Sequence, residues 1–168
     1  MKVAFLRGVN VSGKNKVDMK VLKVMLEDFG LTDVKTYLNT GNIIFCGHIS
    51  VTDFEQLVKE QFGTSIHIIL KDLDEIKEIS DNYQLSDGSE NSYVTMFNRP
   101  IDNYYAVIDK KKKEDDLYQI HEDYFYLYVP GGYGKTKITN TYLEKKLDRI
   151  GTTRNIKTIR KILKLWYS

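Results

Sequence analysis

A single cysteine, three scattered histidines and no apolar run longer than a few residues set out what this chain lacks. One thiol, Cys46, cannot close an internal disulfide, and with His48, His67 and His121 spread along the chain it supplies no zinc set. No stretch approaches the roughly 18 apolar residues of a membrane span. Residues 1–20 hold Arg7, Lys14, Lys16 and Asp18 among small polar groups, without an apolar stretch ending in a cleavage site. That argues against a signal peptide. The expectation is a soluble cytoplasmic protein with no membrane partner, no metal and no cofactor.

What is present is ordinary in amount and uneven in placement. The 168 residues, 19.6 kDa, are 42% hydrophobic and 29% charged, which excludes a disordered or collagen-like chain. One domain or two small ones fit this length, and the chain needs no staples. The net charge is only +2. Residues 72–123 nevertheless hold fourteen acids against six bases, and residues 135–168 ten bases against Glu144 and Asp148. Such a chain steers an anion to one side, or its segments lie together and cancel.

Apolar periodicity orders the first half. Residues 2–9 alternate as a strand and residues 10–16 carry loop chemistry. A helix starts at the N-cap Asp18, with Val17 and Leu22 as a hydrophobic staple, and stops at Gly30. Residues 34–39 and 43–47 read as a hairpin turning at Thr40-Gly41-Asn42. Thr52 and Glu55 suggest a capping box for a helix that ends at Gly63, and residues 66–70 form the next strand. Strand, helix, strand, strand, helix, strand is the split βαβ, or ferredoxin-like, order.

The remainder repeats it less regularly. A helix is expected at 72–83, a strand at 93–98, a helix at 101–111, a hairpin at 117–121 and 124–129, and a helix at 141–147 capped by Thr141 and Glu144. Gly151 is expected to end that helix. In place of a final strand, a basic helix at 156–166 is expected. The fold class is therefore α+β: two ferredoxin-like halves, residues 1–71 and 72–168, the second irregular, packed as one compact unit. Both faces of the first-half strands are apolar (Val3 and Phe5 opposite Ala4 and Leu6), so a covered second face is expected.

The stretch Arg7 to Lys16 is the leading candidate site. It joins a strand to a helix start, where backbone N–H groups and the helix dipole favour an anion. Gly8 and Gly13 admit close backbone approach, Arg7 can clamp two oxygens, and Asn10, Ser12, Lys14 and Lys16 add donors. The alternative is a polar turn with Arg7 paired to a neighbouring acid. It is no dinucleotide fingerprint, because the three-glycine spacing is missing. Residues 130–136 mimic the end of a phosphate loop, but Val129 stands where its first glycine belongs. Arg154 and Asn155 precede the terminal helix, as a cap or as a second anion element. Tyr124, Tyr126 and Tyr128 form a row that could stack bases, although a packing role is preferred because the RNA-recognition signature is absent.

Three blocks resemble the bacterial domain-of-unknown-function family 1697. They are Ala4-Phe5-Leu6-Arg7-Gly8-Val9-Asn10-Val11 with Gly13-Lys14-Asn15-Lys16, the YLNTGNIIF run of residues 37–45, and residues 143–159 with their Thr-Thr-Arg-Asn. The family pattern is varied at Thr40, where Ser is common, and at Ile156, where Trp is common. The resemblance implies two ferredoxin-like halves and no established activity; through its second block it adds Asn42 to the candidate residues.

Two functions remain open. In one, a basic face binds a small phosphorylated or carboxylated ligand, or nucleic acid. In the other, Arg7 and loop amides stabilise charge in a small phosphoryl- or acyl-transfer enzyme. Neither a catalytic base nor an oligomeric state can be read from the residues.

Overall fold

A computed structural model describes residues 1–102 and 105–168. The chain divides into two units, Met1–Lys77 with Ile162–Ser168, and Glu78–Lys161. The division lies beyond the 71/72 boundary expected from the sequence, and the last seven residues join the first unit.

The first unit runs β1 (Lys2–Leu6), α1 (Met19–Phe29), β2 (Thr32–Tyr37), β3 (Asn42–Cys46), α2 (Val51–Phe62) and β4 (Ile68–Asp72). Its sheet has the order β2-β3-β1-β4, every neighbour antiparallel. This is the ferredoxin-like arrangement. Local chemistry sets the helix ends. The Asp18 carboxylate accepts from the Lys20 and Val21 N–H groups, and Gly30 closes α1 in the left-handed region at φ 109°, where a side chain would be strained. Gly63 ends α2 in the same way. The N-cap of α2 is Ser50, whose hydroxyl accepts from Asp53 N, and not Thr52. Glu55 is drawn away from a capping box because its carboxylate accepts the Ile68 N–H of β4 at 2.9 Å.

Ala4, Leu6, Ile43 and Phe45 face α1 and α2 and pack with Leu22, Leu26, Phe54 and Val58. The opposite face is buried as well: Val3 and Phe5 are 0% exposed and Ile44 1%. On that face, within the same unit, Lys35 of β2 donates to the Leu165 carbonyl at 3.1 Å and lies 5.3 Å from the Trp166 ring.

A helix α3 (Leu73–Asp81) contains the division between the units. After it come β5 (Ser92–Phe97), α4 (Tyr105–Asp109), β6 (Leu117–Ile120), β7 (Tyr124–Tyr128), α5 (Asn140–Leu147), β8 (Gly151–Asn155) and α6 (Ile156–Tyr167). The sheet order β6-β7-β5-β8 repeats that of the first unit. The irregularity lies in a 3-10 turn, Tyr133–Lys135, before α5. The helix expected at 101–111 appears as α4; its positions 103 and 104 lie outside the described residues.

The expectation that a helix takes the place of a final strand fails. The final strand is present as β8, immediately ahead of α6, and pairs antiparallel with β5 from Phe97↔Gly151 to Tyr93↔Asn155. Its GTTRN sequence has no apolar alternation to betray it. Polar ties hold it instead: Thr95 and Thr153 share a 2.7 Å hydroxyl contact, Thr153 donates to Asn140 Oδ1, and Asn140 Nδ2 donates to Gly151 O. Gly151 therefore opens a strand rather than ending a helix. A Cβ there would stand 3.0 Å from the Phe97 ring. Helix α5 is capped by Thr139, which accepts from Tyr142 N, and ends at Asp148. Thr141 is not the cap, and Glu144 serves Asn140 and Gly151 N instead.

Candidate functional site

The stretch Arg7 to Lys16 folds into a miniature hairpin. Asn10 N donates to Asn15 O at 3.1 Å and Lys14 N to Val11 O at 3.0 Å. The tip residues Ser12 and Gly13 have φ of 51° and 73°, the left-handed pair that a two-residue hairpin turn demands. Arg7 N donates to His67 O, which fixes the root of the loop to the strand beside it.

Asparagine amides lock this shape. Asn10 Nδ2 donates to Val17 O at 2.8 Å and to Asn39 O, while its Oδ1 accepts from Val17 N. Asn15 Nδ2 donates to Gly8 O and its Oδ1 accepts from the Thr64 hydroxyl. Asn42, fully buried, donates to Tyr37 O and Thr40 Oγ1 and shapes the β2–β3 turn. That turn reaches the hairpin root through Leu6 N, which donates to Gly41 O at 2.8 Å. The two blocks of the first unit thus meet in space, and their asparagine amides are engaged by backbone groups and by the Thr40 and Thr64 hydroxyls.

The exposed side chains of the hairpin include two cations. Arg7 is half-buried, while Lys14 and Lys16 are exposed. No acid lies between Arg7 and Lys16. Beside the hairpin opens a depression of about 660 Å³, lined by Asn10, Gly13, Lys16, Asp18, Asn39 and Phe62 among others. The helix start does not act as the sequence suggested, since the Asp18 carboxylate already occupies the Lys20 and Val21 N–H groups and answers the helix dipole with its own charge.

In the second unit, Arg154 Nη1 donates to Thr152 Oγ1 at 2.7 Å and to Thr153 O. Its guanidinium is enclosed enough that burial lowers the pKa to about 10, still cationic at neutral pH. Asn155 Oδ1 accepts from Lys157 N and caps α6. Two cations of α6 are engaged within the unit, Lys157 with Glu90 at 2.8 Å and Arg160 with the Asp87 carbonyl. Tyr126 is fully buried and donates to Ile79 O, and Tyr124 is 8% exposed. Tyr124 and Tyr126 are packing residues, and Tyr128 is half-buried. Residues 130–136 form a turn in which Tyr133 OH accepts from Asn140 N.

One pairing escaped the sequence. His67 Nδ1 lies 3.6 Å from Glu55 Oε1 in a depression with Thr52, Lys59 and Ser65. Both residues are surface groups, where an ion pair contributes little. The separation of twelve positions, across a helix and the strand after it, gave no signal. Among the described residues no group of three or more His, Cys, Asp and Glu side chains is placed to hold a metal ion. No described helix is long and apolar enough to cross a membrane.

The family described as protein of unknown function, DUF1697, matches residues 1–126. The chain belongs to that family. The DUF1697 match takes in the whole hairpin and the β2–β3 turn, while β8 lies past its end. A solved structure of a conserved bacterial protein from Streptococcus pneumoniae is similar, with a TM-score of 0.70 and 23% identity. The similarity covers 97% of this chain and 96% of that one, and shows a shared fold. No curated protein matches the chain.

Proposed function

We propose that the Arg7–Lys16 hairpin binds a small anion, a phosphoryl or carboxylate group, through Arg7, Lys14, Lys16 and the amides of the Ser12–Gly13 turn. The observation that carries this reading is the locking of the hairpin. Asn10 and Asn15 donate their side-chain amides to backbone carbonyls, so Lys14 and Lys16 stand exposed on a loop already fixed in shape, with Lys16 lining an open depression. A loop ordered before binding loses less freedom when the ligand arrives. Gly8 and Gly13 contribute open backbone, for a Cβ at either would meet nothing within 4 Å. Arg154 and Asn155 have structural duties in β8 and at the α6 cap, and the proposal rests on the first unit.

A thermal-shift panel of inorganic phosphate, nucleotides, sugar phosphates, carboxylates and a short single-stranded RNA tests it. A ligand at 100 times its dissociation constant adds about 2.7 kcal/mol to the native state. A selective small-anion response that disappears in Lys14→Ala/Lys16→Ala and in Arg7→Ala is expected. A response to RNA alone, steep in salt, would replace the small anion by a nucleic acid. Silence across the panel, or responses that ignore these substitutions, would overturn the assignment. Turnover of any hit would identify the phosphoryl- or acyl-transfer alternative.

A further inference from the structure

Helix α1 leaves apolar side chains in water. Val21, Val24 and Phe29 are 40%, 55% and 45% exposed. With Met25 and Leu57 they line an open groove of about 610 Å³ between α1 and α2, rimmed by Lys20, Asp28 and Gln61. Single exposed apolar residues are common, but a contiguous strip with a polar rim marks an interaction surface.

The rim charges say what covers it. Lys20 stands four residues before Val24 and Asp28 four residues after it, so the two lie about 6 Å along the axis on either side of the most exposed valine. A second α1 laid antiparallel across the first, with the twofold axis at Val24, brings each Lys20 to the other copy's Asp28. The contact is made twice, as an isologous interface requires. A parallel arrangement would set Lys20 against Lys20. Lys23 and Glu27 are held 3.7 Å apart within their own helix.

We propose that α1 is the seam of a homodimer in which a second copy of this chain packs antiparallel on Val21, Val24 and Phe29, with reciprocal Lys20–Asp28 pairs. An eleven-residue helix is about 16 Å long. The area it can cover is at the small end of the roughly 1,200 Å² that specific complexes bury. A contact of that size makes a weak dimer.

Sedimentation velocity of the full chain over a concentration series tests this. Val24→Asp, at an exposed position where folding tolerates the change, weakens the dimer at least about tenfold. Lys20→Asp and Asp28→Lys each place like charges together and weaken it comparably. An equimolar mixture of those two variants recovers both pairs and associates within about threefold of the parent. A chain that stays monomeric to about 1 mM, a dimer indifferent to Val24→Asp, or a mixture that fails to associate would each overturn the proposal. The first result would leave the groove to a different partner, and the second would place the seam elsewhere.

Discussion

Asn10 holds Val17 from both sides: its Nδ2 donates to the Val17 carbonyl at 2.8 Å, and its Oδ1 accepts the Val17 N–H at 2.9 Å. One side-chain amide thus imitates a strand neighbour and closes the loop ahead of α1. The same Nδ2 reaches Asn39 O, which carries the restraint to the β2–β3 turn. Replacement by Ala removes all three bonds and leaves half-buried backbone groups unanswered, at a cost of about 2 kcal/mol. Urea unfolding measures it, and anion affinity should fall in the same variant because Lys14 and Lys16 lose their fixed platform.

Gly41 has no room for a side chain against β1. Its φ is 84°, and a Cβ would sit 2.6 Å from Leu6 Cβ and 2.8 Å from Val9 Cγ2. Gly13 has a similar φ but open space around it. Gly13→Ala should therefore cost about 1 kcal/mol for the left-handed conformation alone. Gly41→Ala adds overpacking against β1 and should exceed about 2 kcal/mol. Equal losses in the two variants would contradict this reading of the turn.

Asp18 makes the anion proposal sensitive to charge. Asn caps a helix as well as Asp does, so Asp18→Asn retains the bonds to Lys20 and Val21 while removing a negative charge from the depression. Anion affinity should rise by two- to fivefold, about 0.5–1 kcal/mol, with the Tm nearly unchanged. Isothermal titration with the best ligand from the panel reads the change, and a fall in affinity would count against the site.

His121 gives the native state a pH dependence. Its Nε2 is buried without a hydrogen-bond partner, and the ring stacks on Tyr124 at 4.4 Å and meets Tyr126 edge-on at 5.1 Å. Burial holds its pKa below the ordinary value, with Glu78 pulling weakly the other way. As pH falls past about 6.5 the unfolded chain takes up this proton first. Stability therefore declines from there until the lower folded pKa is reached. His121→Phe should flatten that part of the profile, and an unchanged slope in urea titrations at about pH 7.5 and 5.5 would show that other groups carry it.

The sequence made the first unit legible because its signals are local: Asp18, Gly30 and Gly63 each act within one turn of the helix they bound. Both misplaced caps, Thr52 for Ser50 and Thr141 for Thr139, lie two residues late. The acid meant to complete each box, Glu55 or Glu144, is recruited by a more distant backbone N–H. β8 stayed hidden because hydroxyls and amides hold it rather than apolar alternation. For the candidate site, spacing located the stretch but not the direction of its side chains. Asn10, Asn15 and Asn42 are tied down by contacts 5 to 49 positions away, and that distinction between clamp and donor exists only once the chain is folded.

The most direct test of the account is an amide-resolved NMR titration of the ¹⁵N-labelled protein with inorganic phosphate. The predicted result is a saturable shift of the Ser12, Gly13 and Lys14 amides that disappears in Lys14→Ala/Lys16→Ala. Shifts confined to other parts of the chain, or none at these three positions, would contradict it.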